Sequence, residues 1–285
     1  MACTRLRLLG SAAIVCVSVC FLAISAEPGL AQDQSQATAV KPTLSEEEMR
    51  QFLLTAKIIK SEETPKGVTR PRRLTLSDGR LTHDAGFQSI DVKKSIEKFD
   101  NGTTELLFQD TYHFNIAAYE LAKLLGLESM MPVTVERRFE GKTGSLTWWL
   151  NTQMDEGERV RRKIQPPDIP AWNNQMYKKR VFAQLVYDTD PNLTNVLIGE
   201  NWELYMIDFT RAFRQRTDLA NPKDLVRCDR QLLEKLRKLD QTEVELKTKP
   251  HLKKEEIKAL MARRDKIIAH FDQEIAKRGE AEVLY

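Results

Sequence analysis

The chain has 285 residues, of which 41% are hydrophobic and 30% are charged, a composition typical of a folded globular protein. This length allows one large domain or two lobes that share a cleft. The formal net charge of +3 is too small to favour a nucleic-acid partner or an extended anionic surface.

The first 31 residues have the pattern of an export signal. Arg5 and Arg7 precede an apolar run over 8–26, and small residues lead to a cleavage point after Ala31. The alternative interpretation is an uncleaved anchor, because the apolar run is long enough to span a bilayer. Once the signal is removed, Cys228 is the one cysteine left and no internal disulfide is expected. We therefore predict an exported protein, periplasmic or secreted, that contacts a membrane only through residues 8–26 if the signal is retained.

The elements predicted after a disordered linker over 32–43 change character near residue 150. The first part, 44–150, has a capping box at Ser45, short strand-like runs, a helix over 115–125 and a hairpin near its end. The second part, 151–285, is mostly helical. Its predicted helices span 154–162, 172–187, 224–239 and 253–277, and its predicted hairpin spans 196–207. This order predicts an α+β, two-lobed fold with a β-rich N-lobe and an α-rich C-lobe.

Two acidic segments in the second part contain the residue types that phosphoryl transfer requires. Asp190 precedes Asn195 by five positions, and Asp208 ends the second strand of the predicted hairpin. Antiparallel strands place Asn195 and Asp208 at the same end of that hairpin. An amide and a carboxylate there can hold Mg²⁺, and a further carboxylate can orient an attacking hydroxyl. The alternative is structural, with Asp190 and Asn195 capping a turn and Asp208 paired with Arg211 or Arg214.

The segments 187–198 and 206–213 resemble the catalytic core of the phosphatidylinositol 3-/4-kinase-like atypical kinases. The chain looks most like exported bacterial members of that superfamily, and the resemblance extends more loosely over 56–215. It implies a kinase-like fold with ATP and Mg²⁺ as cofactors, Asp190 as the catalytic residue, and Asn195 and Asp208 as metal ligands. The nucleotide-binding residues that it implies are Gly67, Val68, Thr69 and Arg70 in a phosphate loop, Gln88 on the next strand, and Trp148 and Trp149 at the adenine edge.

Three positions depart from the pattern that the resemblance implies. Gln88 replaces a lysine that contacts the phosphates, Asn115 replaces the glutamate that pairs with that lysine, and Pro191 replaces a basic residue. Neutral amides bring no positive charge to the phosphates, in a reaction that depends on electrostatic stabilisation. Arg70, Arg72 and Arg73 could compensate, or they form a solvated basic turn. Other candidates for a compensating role are Lys93, Lys94, His113 and Glu120.

The remaining candidate groups show no catalytic or metal-binding pattern. The four histidines, at positions 83, 113, 251 and 270, have no metal-ligand spacing. Ser145 lacks the surrounding glycines of a hydrolase nucleophile. The run from Arg263 to Asp265 is interpreted as an intramolecular charge cluster, or as an anchor for the last helix.

Two functions are therefore open. The first is an Mg²⁺-dependent phosphotransferase of atypical-kinase type that acts outside the cytoplasm, with an unknown phosphoryl acceptor as its partner. The second is a catalytically degenerate kinase-like domain that binds a ligand or an envelope protein. The scarcity of ATP outside the cytoplasm and the neutral residues Gln88 and Asn115 favour the second, whereas the ordered triad favours the first. A structural domain without a small ligand is a third interpretation.

Overall fold

The computed structural model describes residues 44–64, 71–100 and 102–285. The export signal, the linker and the implied phosphate-loop residues Gly67, Val68, Thr69 and Arg70 lie outside the described residues. In the part of the chain that is described, no helix has both the length and the apolar composition needed to cross a membrane.

The N-terminal part is rich in β-structure, as predicted. Five strands form an antiparallel sheet in the order β1-β2-β3-β7-β6, and β4 and β5 form a separate hairpin. The strands are β1 (Lys57–Glu63), β2 (Arg72–Ser77), β3 (Thr82–Gln88), β4 (Asp91–Lys98), β5 (Thr104–Thr111), β6 (Thr134–Phe139) and β7 (Lys142–Trp148). The helices of this part are α1 (Glu46–Thr55) and α2 (His113–Leu125).

Helix α1 begins at the predicted capping box. The Ser45 hydroxyl accepts the Glu48 backbone N–H, and the Glu48 carboxylate accepts the Ser45 N–H, so two helix-end donors are satisfied. At the other end, Arg137 of β6 donates to the backbone carbonyls of Leu53 and Ala56. These bonds attach the helix to the sheet, because the last carbonyls of a helix have no partner within it.

Helix α2 is the most buried element of the N-terminal part. It packs against β6 and β7 on one side and against helices of the C-terminal part on another, and apolar residues cover nearly all its faces. Gly126 ends it with φ of +69°, a left-handed conformation that favours glycine. The structure thus confirms the helix predicted over 115–125 and extends it by one half-turn at its start.

The β4–β5 hairpin was not predicted. Charged residues dominate β4 and most of its side chains are exposed, so it lacks the alternation that identifies a half-buried strand. The far end of β5 nevertheless reaches the C-terminal part, where the Thr111 N–H donates to the carbonyl of Thr210 at 2.9 Å. The hairpin therefore positions residues beside the segment that follows Asp208.

The C-terminal part is mostly helical around a small antiparallel sheet of order β10-β9-β8. Its strands are β8 (Thr152–Asp155), β9 (Val196–Gly199) and β10 (Leu204–Met206). Its helices are α3 (Glu156–Arg162), α4 (Ile169–Val186), α5 (Arg230–Lys238), α6 (Gln241–Thr248), α7 (Lys254–Arg278) and α8 (Glu280–Val283).

Three of the helix predictions for this part were wrong in their bounds. The helix predicted over 172–187 begins earlier, at Ile169, where Asp168 caps it. The helix predicted over 154–162 starts later, because Met154 pairs with Ile198 in the sheet and Asp155 caps α3. The helix predicted over 224–239 begins only at Arg230, after the Asp229 cap. Helix α6 was not predicted. For the mispredicted helices, a local cap or pairing with a distant strand set a different start from the one that periodicity alone favoured.

The lone cysteine of the C-terminal part is structural. Cys228 is fully buried, and its N–H and C=O bond to the backbone of Val283 and Tyr285 near the end of the chain. Burial raises the pKa of its thiol to about 12, which leaves almost no nucleophilic thiolate near neutral pH.

Arg263 anchors α7 to the rest of the C-terminal part. Its side chain is 0% exposed and donates to the carbonyls of Leu185 and Arg214, each at 2.8 Å, and to that of Arg216. Burial lowers the pKa of the guanidinium to about 10, so it remains charged near neutral pH. Backbone carbonyls, rather than carboxylates, accept from Nε and Nη1 of this buried cation, and Nη2 has no hydrogen-bond partner. Arg263 is therefore an anchor and not part of a charge cluster.

We expect Arg263→Met to lower the free energy of unfolding by about 3 kcal/mol, because two buried carbonyls and a third, partly buried one lose their donor. Chemical denaturation measures this change. The matched control is Arg237→Met, which removes an exposed ion pair with Asp272 and should cost less than about 1 kcal/mol. Equal losses in the two variants would contradict the anchoring role.

Candidate active site

A cleft of about 390 Å³ separates the five-stranded sheet from the β8–β10 sheet. Of the residues implied by the resemblance, five line it. They are Gln88, Trp148, Trp149, Asn195 and Asp208. Asp190 lies close enough to Asp208 to repel it electrostatically, although it does not line the cleft itself. The tertiary structure thus brings together six of the predicted site residues.

The β9–β10 pair brings Asn195 and Asp208 to the same end of the cleft. Val196 pairs with Met206, and one step further the Ile207 N–H donates to the Asn195 carbonyl at 3.0 Å. Asp208 follows immediately with φ of +60°, a conformation that aspartate tolerates better than most residues. This turn ends the strand and directs the chain to Phe209, which is buried.

The neutral side-chain amides of Gln88 and Asn115 connect in series to Asp208, and we call this pair the amide relay. The Gln88 side chain donates to Asp208 Oδ1 at 3.4 Å, and Thr210 Oγ1 donates to the same oxygen at 3.1 Å. Asn115 donates to Gln88 Oε1 at 2.6 Å and to Ser145 Oγ at 3.2 Å. Gln88 and Asn115 therefore contact each other, at the two positions where the resemblance implies a lysine and a glutamate.

Asn115 also fixes the backbone beyond Asp208. The Phe209 N–H donates to Asn115 Oδ1 at 2.7 Å, so both ends of this buried carboxamide are used. Asn115 lies on α2, Gln88 on β3 and Ser145 on β7, whereas Phe209 belongs to the C-terminal part. One side chain therefore joins three elements of the N-terminal part to the segment that carries Asp208.

The loop around Asp190 is shaped by its neighbour Asp188, which the sequence analysis did not select. The Asp190 N–H donates to Asp188 Oδ1 at 2.9 Å, and Asn192 N–H donates to the Asp190 carbonyl at 2.7 Å. Desolvation raises the pKa of Asp188, and the partly buried Lys179 of α4 opposes that shift. The Asp190 side chain remains 42% exposed, so a substrate hydroxyl can reach it.

The arginines that follow Asp208 have other partners. Arg214 pairs with Glu105 of β5, and Arg211 lies 3.6 Å from Glu105 and 3.9 Å from Asp190. Neither forms an ion pair with Asp208 in the described structure. This arrangement differs from the structural alternative, in which one of them would neutralise Asp208.

The carboxylates of Asp208, Asp110 and Asp190 lie near one another beside this end of the cleft. Desolvation raises the pKa of Asp208, and the nearby charges of Asp110 and Asp190 raise it further. Desolvation likewise raises the pKa of Asp110, whose Oδ1 is buried without a hydrogen-bond partner. Asp110 lies on the unpredicted β5, about 100 residues before Asp208, and no sequence signal distinguished it.

The side chains present fit a hard divalent cation. Mg²⁺ prefers carboxylate and amide oxygens, which Asp208 and Asn195 supply. The Asn195 Nδ2 faces the Asp190 carbonyl at 3.5 Å, so the amide oxygen is directed away from it. A dication would also compensate the repulsion among Asp208, Asp110 and Asp190.

Among the residues that the structure describes, positive charge near the cleft is largely neutralised. Arg72 lines the cleft but lies 2.7 Å from Glu140, and Arg73 pairs with Asp84 while it stacks 4.5 Å from the ring of Trp149. The other candidates also have partners outside the cleft. Lys93 pairs with Asp91, Lys94 with Glu97, Glu120 with Arg50 and Lys123, and His113 contacts His251.

We expect Asn115→Leu to lower the free energy of unfolding by about 2–4 kcal/mol, since it leaves the buried Phe209 N–H and Ser145 Oγ without their partner. Chemical denaturation measures the loss. Asn173→Leu, an exposed site on α4, is the matched control and should change stability by less than about 0.5 kcal/mol. A near-neutral Asn115→Leu would show that the amide does not couple the two parts.

Comparison with known proteins identifies the fold. No family model matches the chain, and no curated protein matches it. Among solved structures, hydra Fam20 with sugar is 15% identical, with 84% of this chain and 91% of that chain covered and a TM-score of 0.57. The Golgi casein kinase is 13% identical, with coverage of 84% and 78% and a TM-score of 0.60. A second structure of the Golgi casein kinase, with Mn/ADP bound, has a TM-score of 0.59 at 13% identity and the same coverage. The α+β, atypical-kinase-like fold predicted from the sequence is therefore confirmed.

Proposed function

We propose that this protein is an Mg²⁺-dependent phosphotransferase of atypical-kinase type. The observation that carries the proposal is the meeting of Asn195 and Asp208 at one end of the cleft through the β9–β10 pair, with Asp190 of the preceding loop close enough to repel Asp208. A carboxylate for the acceptor and two oxygen ligands for the metal are the groups that the reaction requires. The fold that this chain shares with the Golgi casein kinase, solved with Mn/ADP bound, supports the same assignment.

The nucleotide would occupy the cleft with its base near Trp148 and Trp149 and its phosphates toward Gln88. Asn195 and Asp208 would hold the cation, and Asp110 adds negative charge beside them. When bound, Mg²⁺ neutralises the charge on the phosphate oxygens and orients them for transfer. The carboxamide of Gln88 contributes a hydrogen-bond donor and keeps Asp208 in place.

Asp190 has the role of orienting the acceptor. The bond between the terminal phosphorus and the nucleotide oxygen breaks, and a bond from the acceptor hydroxyl oxygen to the same phosphorus forms. The acceptor's proton passes to the Asp190 carboxylate, which is exposed enough to receive a substrate. Asp188 positions Asp190 through the backbone N–H and does not touch the acceptor.

The compartment and subgroup remain predictions from the sequence. The prediction of export is based on the pattern of residues 1–31. The similarity to bacterial phosphatidylinositol 3-/4-kinase-like proteins is based on the segments 187–198 and 206–213. A kinase of the Golgi with the same fold supports kinase-like chemistry in a non-cytosolic compartment.

A degenerate, ligand-binding domain is the second candidate, and one observation favours it. Gln88 and Asn115 form a neutral pair, and the cleft-side guanidiniums of Arg72 and Arg73 are paired with carboxylates. Among the described residues, little positive charge is therefore directed at the phosphates, although phosphoryl transfer depends on electrostatic stabilisation. Such a domain would bind a nucleotide, another phosphorylated ligand or an envelope protein without transfer.

The two candidates are separated by two substitutions. We expect Asp208→Asn to abolish Mg²⁺-dependent ATP binding measured by calorimetry, because the cation loses its charged ligand. Asp190→Asn should retain that binding but reduce phosphate transfer by about 10²- to 10⁴-fold, the range for a general base.

Asp272→Asn, an exposed site on α7 paired with Arg237, is the control and should match the unsubstituted protein in both assays. If ATP binds but neither the unsubstituted protein nor any of the variants transfers phosphate, the result would support the degenerate domain. An absence of Mg²⁺-dependent binding in the unsubstituted protein would contradict the proposal of a kinase.

The raised pKa of Asp208 predicts a pH-dependent difference in stability. A carboxyl whose folded-state pKa is raised favours folding when protonated, and this contribution is lost as the pH rises through that pKa. Without divalent cations, Asp208→Asn should therefore have a higher Tm than the unsubstituted protein at neutral pH. The difference should shrink as the pH falls, and saturating Mg²⁺ should reverse it. Thermal unfolding over a pH series with a chelator tests this, and a lower Tm for Asp208→Asn at neutral pH would contradict it.

A further inference from the structure

Three side chains outside the cleft form a compact group, which we call the His–His–Glu cluster: His113, Glu136 and His251. His113 is the first residue of α2, Glu136 lies in the middle of β6, and His251 follows α6. The two histidines are separated by 138 residues, so spacing along the chain gave no indication that they meet.

The geometry of the cluster is that of converging donor atoms. The two Nδ1 atoms of His113 and His251 are 2.9 Å apart, and His251 Nδ1 lies 4.0 Å from Glu136 Oε2. One ligand atom from each of the three residues lies within 4.8 Å of the other two. Two ring nitrogens at 2.9 Å can share one proton in a hydrogen bond, or both can direct a lone pair at one cation.

We propose that the His–His–Glu cluster binds a transition-metal dication of the Zn²⁺ type. Zinc takes imidazole nitrogen and carboxylate oxygen at about 2.0–2.2 Å in tetrahedral geometry, which places neighbouring ligand atoms about 3.3 Å apart. The observed separations of 2.9 Å and 4.0 Å lie on either side of that value, and the third lies within 4.8 Å, so side-chain rotations would bring the three atoms to it. Two imidazole ligands favour such a metal over Mg²⁺. Mg²⁺ instead prefers oxygen ligands, which the cleft provides.

The surroundings of the cluster hold its members in place. The Tyr112 hydroxyl donates to Glu136 Oε2 at 3.3 Å, the kind of outer contact that orients a metal-binding carboxylate. The His251 N–H donates to the carbonyl of Thr248 at 2.7 Å, which fixes the turn that presents its ring. The side chain of Glu136 is 42% exposed and that of His251 is 10% exposed, so solvent reaches the cluster from the side of the carboxylate. Water can therefore supply the fourth ligand.

The metal would join parts of the chain that support the cleft. It would tie the first turn of α2 to β6 and to the segment between α6 and α7. Asn115, which holds both Gln88 and the Phe209 N–H, lies two residues after His113 on the same helix. A bound ion would restrict the position of α2 and thereby stabilise the amide relay, without taking part in any transfer step.

The test uses the full-length, untagged protein after chelator treatment, with Zn²⁺ as the probe. We expect calorimetric binding of one Zn²⁺ per chain and a rise in Tm, and neither result should change when Mg²⁺ is present. Ligand binding to the folded state alone stabilises it, so the two readouts should agree. Co²⁺ should give the visible absorption of a tetrahedral site.

Substitutions locate the ion. His113→Gln and His251→Gln should lose the Zn²⁺ response, and Glu136→Gln, at an exposed position, should weaken affinity by at least about tenfold and still fold. His270→Gln on α7, whose ring bonds to the Leu225 carbonyl, is the control and should bind Zn²⁺ normally. The proposal is overturned if the unsubstituted protein shows no Zn²⁺ binding, which would leave only a hydrogen-bonded histidine pair. It is also overturned if Glu136→Gln binds as tightly as the control.

Discussion

The arrangement of the cleft depends on the hydrogen bonds of one buried group, the carboxamide of Asn115. It donates to Gln88 and Ser145 in the sheet and accepts the N–H of Phe209, so its two ends satisfy groups on both sides of the cleft. A buried backbone N–H without a partner is costly, and this requirement fixes where the chain turns after β10. The orientation of Asp208 follows from that turn. The sheet, α2 and the acidic segment are therefore held in one geometry by a side chain that carries no charge.

The absence of charge in this relay changes the electrostatics of the site. A lysine at position 88 would neutralise part of the negative potential, whereas Gln88 leaves Asp208 facing Asp110 and Asp190 with hydrogen bonds alone. Such a site is under mutual repulsion until a cation enters, which makes a divalent ion more important here than in a site with its own lysine. The same feature explains why binding and transfer have to be measured separately, because a dication can hold a nucleotide while Gln88 brings no positive charge to its phosphates.

Long-range polar contacts add to the apolar core, which runs through both parts, in joining the two parts around the cleft. Thr111 of β5 donates to Thr210, and Arg211 and Arg214 pair with Glu105 of the same strand. The His–His–Glu cluster adds a third connection, from α2 and β6 to the end of α6. Polar contacts of this kind are directional, so they define the position of a segment more narrowly than burial does.

Much of the fold and part of the site could be predicted from the sequence because they depend on neighbours along the chain. The capping box at Ser45, the periodicity of α2 and the β9–β10 hairpin are local, and the hairpin alone places Asn195 beside Asp208. The sequence resemblance also indicated that Gln88 and Asn115 are equivalent to a pair of contacting residues. Residues far apart in sequence could not be placed in this way. Asp110 reaches Asp208 through a hairpin without apolar alternation, and His113 meets His251 across 138 residues. By itself the sequence determined local elements and the order of the catalytic motifs, since hydrogen-bonded turns and side-chain periods act over a few residues. Only the tertiary structure decided which distant side chains share a pocket, because that depends on how every intervening element packs.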